Sequence, residues 1–248
     1  MMLVFLYCKK QLRYIIALLC FLFAFIYSAQ EGQGAPPLSR AELMERALKA
    51  SSPELAFSYH NVSRMLEQWF PLVEKGMNIV MPSGTVTKDN VQDLKNEYRK
   101  RQQVYEDAIR TRGFKNIAGD YRVENATESC SRSFSLWAAG AKDGTVKTLT
   151  IKQDSCRIVL VNDVLINGKS GKFEIKGVVV GSSFVFDEPT NSDYTFIGEI
   201  MEGNKIVVKP NVEQILSAWP GPKTGFSIPA PDRNTLTDCS VTLVQVTK

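Results

Sequence analysis

Cys156-Arg-Ile-Val-Leu-Val161 and Phe173-Glu-Ile-Lys-Gly-Val-Val-Val180, with Asn167-Gly168 between them, decide the fold. Apolar residues recur at every second position, the period of a strand with one face in a core. Asn-Gly supplies the positive φ angles that a two-residue hairpin requires. The same pattern extends outward on both sides. Strands are expected over 117–124, 130–138, 146–152, 156–161, 164–166, 173–180, 183–186, 194–200, 205–209 and 239–246, with further turns at Lys142-Asp-Gly144 and Glu202-Gly-Asn204. Connections this short force sequential antiparallel pairing, because a parallel crossover needs a dozen or more residues. The expectation is therefore an antiparallel β-barrel or β-sandwich over 114–248.

Three cysteines lie in this half. Cys130 shares a strand face with Phe134 and Leu136, Cys156 with Ile158 and Leu160, and Cys239 with Val241 and Leu243. In an oxidising compartment two of the three form a disulfide, and Cys130 with Cys156 or Cys156 with Cys239 are the expected pairings. The third is then free and buried. Between Pro210 and Asp238 the alternation stops and prolines accumulate. That stretch reads as a loop over one end of the β-domain, with Trp219 and Phe226 as its anchors.

Upstream, over 39–113, the period changes to that of a helix. Ser39-Arg-Ala-Glu42 fits a capping box and Ser52-Pro53 a second helix start, with serine as the cap. Leu55, Tyr59, Val62, Leu66 and Trp69 form one stripe, and Pro71 kinks or ends that helix. A loop over 76–87 leads to a third helix with Val91, Leu94, Tyr98, Tyr105 and Ile109 on one side and Gly113 as its stop. The two long stripes predict a helical hairpin, so the fold class is α+β.

The N-terminus reads as an export signal. Lys9, Lys10 and Arg13 precede an uninterrupted apolar run over 14–27, and no acid occurs before Glu31. Residues 1–28 form a signal peptide or a membrane anchor, with 12–29 as the tether if it is retained, and 29–38 a flexible spacer. Positive charge on the N-terminal side alone places the rest of the chain outside the cytoplasm, as a periplasmic, cell-surface or secreted protein.

Composition excludes several chemistries. The chain of 248 residues carries a net charge of +4, and setting aside Lys9, Lys10 and Arg13 leaves about +1, too little for a nucleic-acid partner. Arg99-Lys-Arg101 is interleaved with acids and reads as a solvated helix face. With His60 as the sole histidine and no Cys-x-x-Cys, no metal site is expected, and no cofactor motif is present. Lys223-Thr-Gly225 lacks a Ser-x-x-Lys partner, and Gly168-Lys-Ser170 precedes a strand instead of a helix. No histidine lies in the β-domain, so a hydrolytic triad has no base there. Asp187, Glu188 and Asp193 cluster around Pro189-Thr-Asn-Ser192, which a polar hairpin loop explains, and His60 reads as a surface or interfacial residue.

Gly119-Asp-Tyr121 directly after a helix, the run of hairpins, and a last strand opened by Cys239 resemble the bacterial lipocalin-like small barrels. Their first strand starts near a Gly-x-Trp or Gly-x-Tyr element. The resemblance covers 117–248, with Tyr121 where lipocalins usually carry Trp and Gln245 where a basic residue packs on that aromatic. It implies an interior ligand site, for which Tyr121, Trp137, Trp219 and Phe226 are the candidate contacts. The functional expectation is an exported, non-enzymatic binding or envelope-associated interaction protein, with a protein partner or a small apolar ligand. The alternatives are a small-molecule or lipid carrier and a carboxylate-dependent hydrolase. A carrier predicts a continuous cavity, and an interaction protein a filled core with an exposed apolar patch on the Leu55 to Trp69 stripe.

Overall fold

The computed structural model describes residues 38–81, 84–132, 135–166, 169–188, 191–214 and 232–246. The expected signal or anchor, most of the spacer, and the loop residues Trp219 and Phe226 lie outside the described residues.

Helix α1 (Arg40–Lys49) starts at the expected capping box, in which Ser39 and Glu42 satisfy each other's backbone N–H groups. Helix α2 (Ser52–Arg64) is capped one residue earlier than the sequence suggested. Ser51, not Ser52, forms the reciprocal box with Glu54, which leaves Pro53 in the first turn where its missing N–H costs nothing. Pro71 then acts seven residues after the end of α2. Because it has no N–H to give to Glu67, the turn Met65–Trp69 widens to π geometry, Phe70 N–H reaches back to Met65 O, and a short helix α3 (Phe70–Glu74) follows. The expected loop over 76–87 contains a small hairpin, β1 (Ile79–Met81) with β2 (Gly84–Val86). Helix α4 (Val91–Arg112) closes the helical part at Gly113, whose φ of 81° suits a helix stop.

From Gly119 the chain builds a closed eight-stranded barrel in strict sequence order: β3 (Gly119–Ala126), β4 (Thr148–Asp154), β5 (Arg157–Ile166), β6 (Lys169–Val180), β7 (Ser183–Glu188), β8 (Asn191–Ile200), β9 (Lys205–Pro210) and β10 (Val241–Gln245). All neighbours are antiparallel, and β10 pairs with both β9 and β3 to close it. The segments expected over 156–161 and 164–166 are one strand, β5, joined to β6 through a two-residue loop flanked by the pair Ile166 and Lys169.

The stretch 130–138 is not a strand. It forms a 3-10 turn (Glu128–Arg132) and the start of helix α5 (Leu136–Asp143), because the Ser135 side chain caps the Ala138 N–H and the alanine-rich run that follows favours helix. Gly144, expected in a hairpin turn, does adopt positive φ, but as the left-handed C-cap of α5. A last helix, α6 (Arg233–Asp238), leads into β10.

Each cysteine also sits just outside a strand. The disulfide joins Cys130 to Cys239, a pairing the sequence did not favour, and Cys156 is the free, buried thiol. The reason is closure. The end of β3 lies beside the start of β10, with Ala126 opposite Val241, while Cys156 is in the β4–β5 turn at the other end.

The barrel interior is lined by alternate residues of all eight strands, among them Leu149, Ile151, Leu160, Phe184, Phe186 and Leu243. Outside it, α2 and α4 pack against β6 and β7 through Leu55, Ala56, Tyr59, Ala108 and Ile109 on Val178, Val180 and Val185. Burying each large side chain of this kind contributes about 1.5–3 kcal/mol. The Leu55 stripe is thus spent on the barrel, and its continuation through Val62 and Met65 packs with Phe70, Val91 and Tyr98. Leu55, Tyr59 and Val62 form no exposed patch.

Candidate functional site

The two ends of the barrel differ. At one end the strands are joined by tight turns: β4 to β5, β6 to β7, and β8 to β9 through a 3-10 turn. Tyr121 lies inside at this end, and its hydroxyl donates to Ile117 O at 2.9 Å. Gln245, opposite Tyr121 in the ladder, donates through Nε2 to Ala118 O and lies across Gly119. The glycine has φ of 150°, a backbone conformation that side-chain-bearing residues rarely adopt, and a Cβ there would push the Gln245 amide off its place at 2.5 Å. In place of a base packing on the aromatic, an amide ties the first and last strands together.

The other end gathers the long connections. The β3–β4 connection carries α5, the β9–β10 connection carries α6 and the stretch 215–231, and both are fastened there by the Cys130–Cys239 bridge. Thr127 adds a second tie, accepting from Ser240 N–H and donating to Asp238 O. Helix α5 works as a plug. Trp137, 3% exposed, enters the interior and meets Phe186 and Phe196 edge-on with centroids 5.4 and 5.3 Å away. Phe186 stacks between Phe184 and Phe196. Tyr121 and Trp137 therefore share one interior with no charged neighbour in the buried cluster.

On β5 a polar residue breaks the apolar lining. Asn162 continues the inward face of Ile158 and Leu160 on β5, is 1% exposed, and neither its Oδ1 nor its Nδ2 has a hydrogen-bond partner among the described residues. Each buried polar group left in that state costs about 1–3 kcal/mol. Sequence reading passed over it, although an asparagine in phase with Ile158 and Leu160 is a signal that alternation alone exposes.

Two ladders of the wall end near it. The β4–β5 ladder stops at Leu149–Asn162, and the β6–β7 ladder covers only Gly177–Val180 of β6. Beyond these points β5 and β6 continue as a ribbon paired to each other.

A second cluster lies outside the barrel, in the seam under α2. His60 is not a surface residue. It is 3% exposed, and its Nε2 lies 2.9 Å from Asp187 Oδ2, with Arg64 Nε 3.5 Å from the same oxygen. Thr195, opposite Asp187 on β8, is wholly buried on the same outer face. No sequence spacing links His60 to Asp187, because they are brought together only when α2 crosses β7. Side chains of Glu188 and Asp193 are outside the described residues.

Nearby, Arg157 donates to the Tyr59 hydroxyl and to Glu67, and Lys176 donates to Glu67. Burial alone would raise the Glu67 carboxyl, but the Lys176 and Arg157 contacts outweigh it and hold it below its ordinary value. Burial, reinforced by the hydrogen bond to Glu106, pushes the Tyr59 phenol up despite Arg157. These groups lock the helices to the wall.

No family model and no curated protein sequence matches this chain. The closed antiparallel barrel agrees with the lipocalin-like resemblance at the level of architecture, and the site has to be argued from its own geometry.

Proposed function

We propose that this is an exported, non-enzymatic binding protein in which the barrel is the recognition module and the helices are a fixed brace on its outer wall. The observation that carries this reading is the asymmetry of the barrel. One end is shut by tight turns and the Gln245 tie, while the other collects the plug, the disulfide and the longest connection. Long connections held on a rigid scaffold are where binding surfaces are usually built.

Export is supported by the disulfide, since such bonds persist in oxidising compartments, together with the charged and apolar N-terminal sequence. None of the described helices is long and apolar enough to cross a membrane, so a tether would have to be residues 12–29.

A hydrolase reading draws little support from Asp187. Its Oδ2 is shared by His60 and Arg64 in a seam that is nearly closed to solvent. A charge so engaged acts as a structural counter-ion.

Native mass spectrometry of the protein purified from its own host tests the proposal. The expected result is a population carrying a bound small molecule or a stoichiometric partner. A bare chain at every purification step, with no adduct and no partner, would overturn the binding reading. Retention of residues 1–28 in the measured mass would assign the tether.

A further inference from the structure

We propose that Asn162 is the polar anchor of a ligand site inside the barrel, for a small, uncharged, largely apolar molecule that carries a carboxamide, lactam or similar group with a donor beside an acceptor. The inference rests on the binding reading above and narrows it to a place and a chemistry.

The place follows from the alternation of β5. Ile158, Leu160 and Asn162 point inward, and the residues opposite Asn162 in the ladders are Leu149 on β4 and Phe173 on β6. An asparagine side chain offers one donating and one accepting edge, and here both are buried and unpartnered. Buried polar atoms in that state call for an explanation such as a bound water or a ligand. The group that matches an amide edge is another amide edge, which returns N–H···O bonds in both directions.

The absence of charge follows from the lining. Among the described residues the buried side chains able to carry positive charge are His60 and Arg64, both outside the barrel under α2, so a carboxylate drawn to Asn162 would be desolvated with no described counter-charge. That separates this site from one built for fatty acids. Asn162 is also the last residue of β5 that pairs with β4, so the anchor stands where that ladder ends.

Octanamide and octanoate are the probes, because they share a tail and differ in the head group. Isothermal titration of the full, oxidised chain is expected to show octanamide binding at least tenfold tighter than octanoate. Asn162→Leu is expected to lose at least tenfold in octanamide affinity while melting no lower than the parent, since it removes an unpaired buried amide. In the parent protein, the Asn162 side-chain NH2 resonance should shift on adding octanamide, a readout that does not need the variant to fold.

Equal affinity of Asn162→Leu and parent for octanamide, a preference for octanoate, or an Asn162 NH2 signal that stays put and contacts only water would each overturn the proposal. If the adduct or partner seen by native mass spectrometry survives Asn162→Leu unchanged, this site falls and the binding reading stands. If the parent takes up neither probe and carries no adduct or partner, both fall.

Discussion

Gly198 sits on the inner face of β8 beneath the ring of Phe184, and a Cβ there would come within 2.1 Å of the ring carbon Cζ. Missing side chain and large ring are one packing unit, so Gly198→Ala must displace an aromatic that is wholly buried. The expected cost is about 1–3 kcal/mol from overpacking, read as a lower urea midpoint with unchanged slope. Asp187 makes a different kind of prediction. With His60 and Arg64 on the same carboxylate oxygen, Asp187→Ala takes a counter-charge away from a buried guanidinium. Chemical denaturation should show a loss of about 3 kcal/mol, and the double variant Asp187→Ala with Arg64→Met should recover a large part of it. If instead the two losses simply add, the cluster is not an electrostatic unit.

At the scale of elements, the helix caps give the clearest test. Ser51→Ala removes the side-chain half of the α2 capping box, leaving the backbone N–H of residue 51 on Glu54, and should destabilise by about 1 kcal/mol, seen as faster amide exchange in the first turn of α2. The Ser51 side-chain and backbone hydrogen bonds hold the Glu54 carboxyl below its ordinary value of 4.5. A depressed folded-state value means stability that is present above pH 4.5 and is lost as the pH falls through the folded value. The protection factor in that turn, with the intrinsic pH dependence of exchange divided out, should therefore fall with acidification in the parent and less so in Ser51→Ala.

Features of this sort were legible in the sequence because they are local. Ser39 with Glu42, the Asn167-Gly168 hairpin and the start at Gly119 each need only a few adjacent residues. The stretch 130–138 was misread because alternation over so few residues fits a strand and a turn-then-helix equally well, and the Ser135 cap decided between them. His60 and Asn162 were missed for opposite reasons. The first finds its partner 127 positions away, at Asp187, only after docking. The second has no described partner at all.

For the molecule as a whole, the Cys130–Cys239 bridge spans a sequence separation of 109 and pins the plug to the closing strand. Its pairing could not be read from strand faces, since it depends on β3 and β10 becoming neighbours. Replacing both cysteines with alanine should cost about 2–5 kcal/mol, observed as a lower thermal midpoint. Exchange should rise first in α5 and α6 and last in the β5–β6 ladder. Uniform loosening would mean that the bridge does not act on the rim.

The same closure governs biosynthesis. Strand β3 emerges early, and β4 covers one of its edges, but its other edge has no partner until β10 has been made. Throughout that interval the nascent protein presents an unpaired strand edge, a structural feature prone to wrong pairing with other chains. Recombinant yield should therefore depend more on keeping that early edge covered than on the stability of the finished barrel.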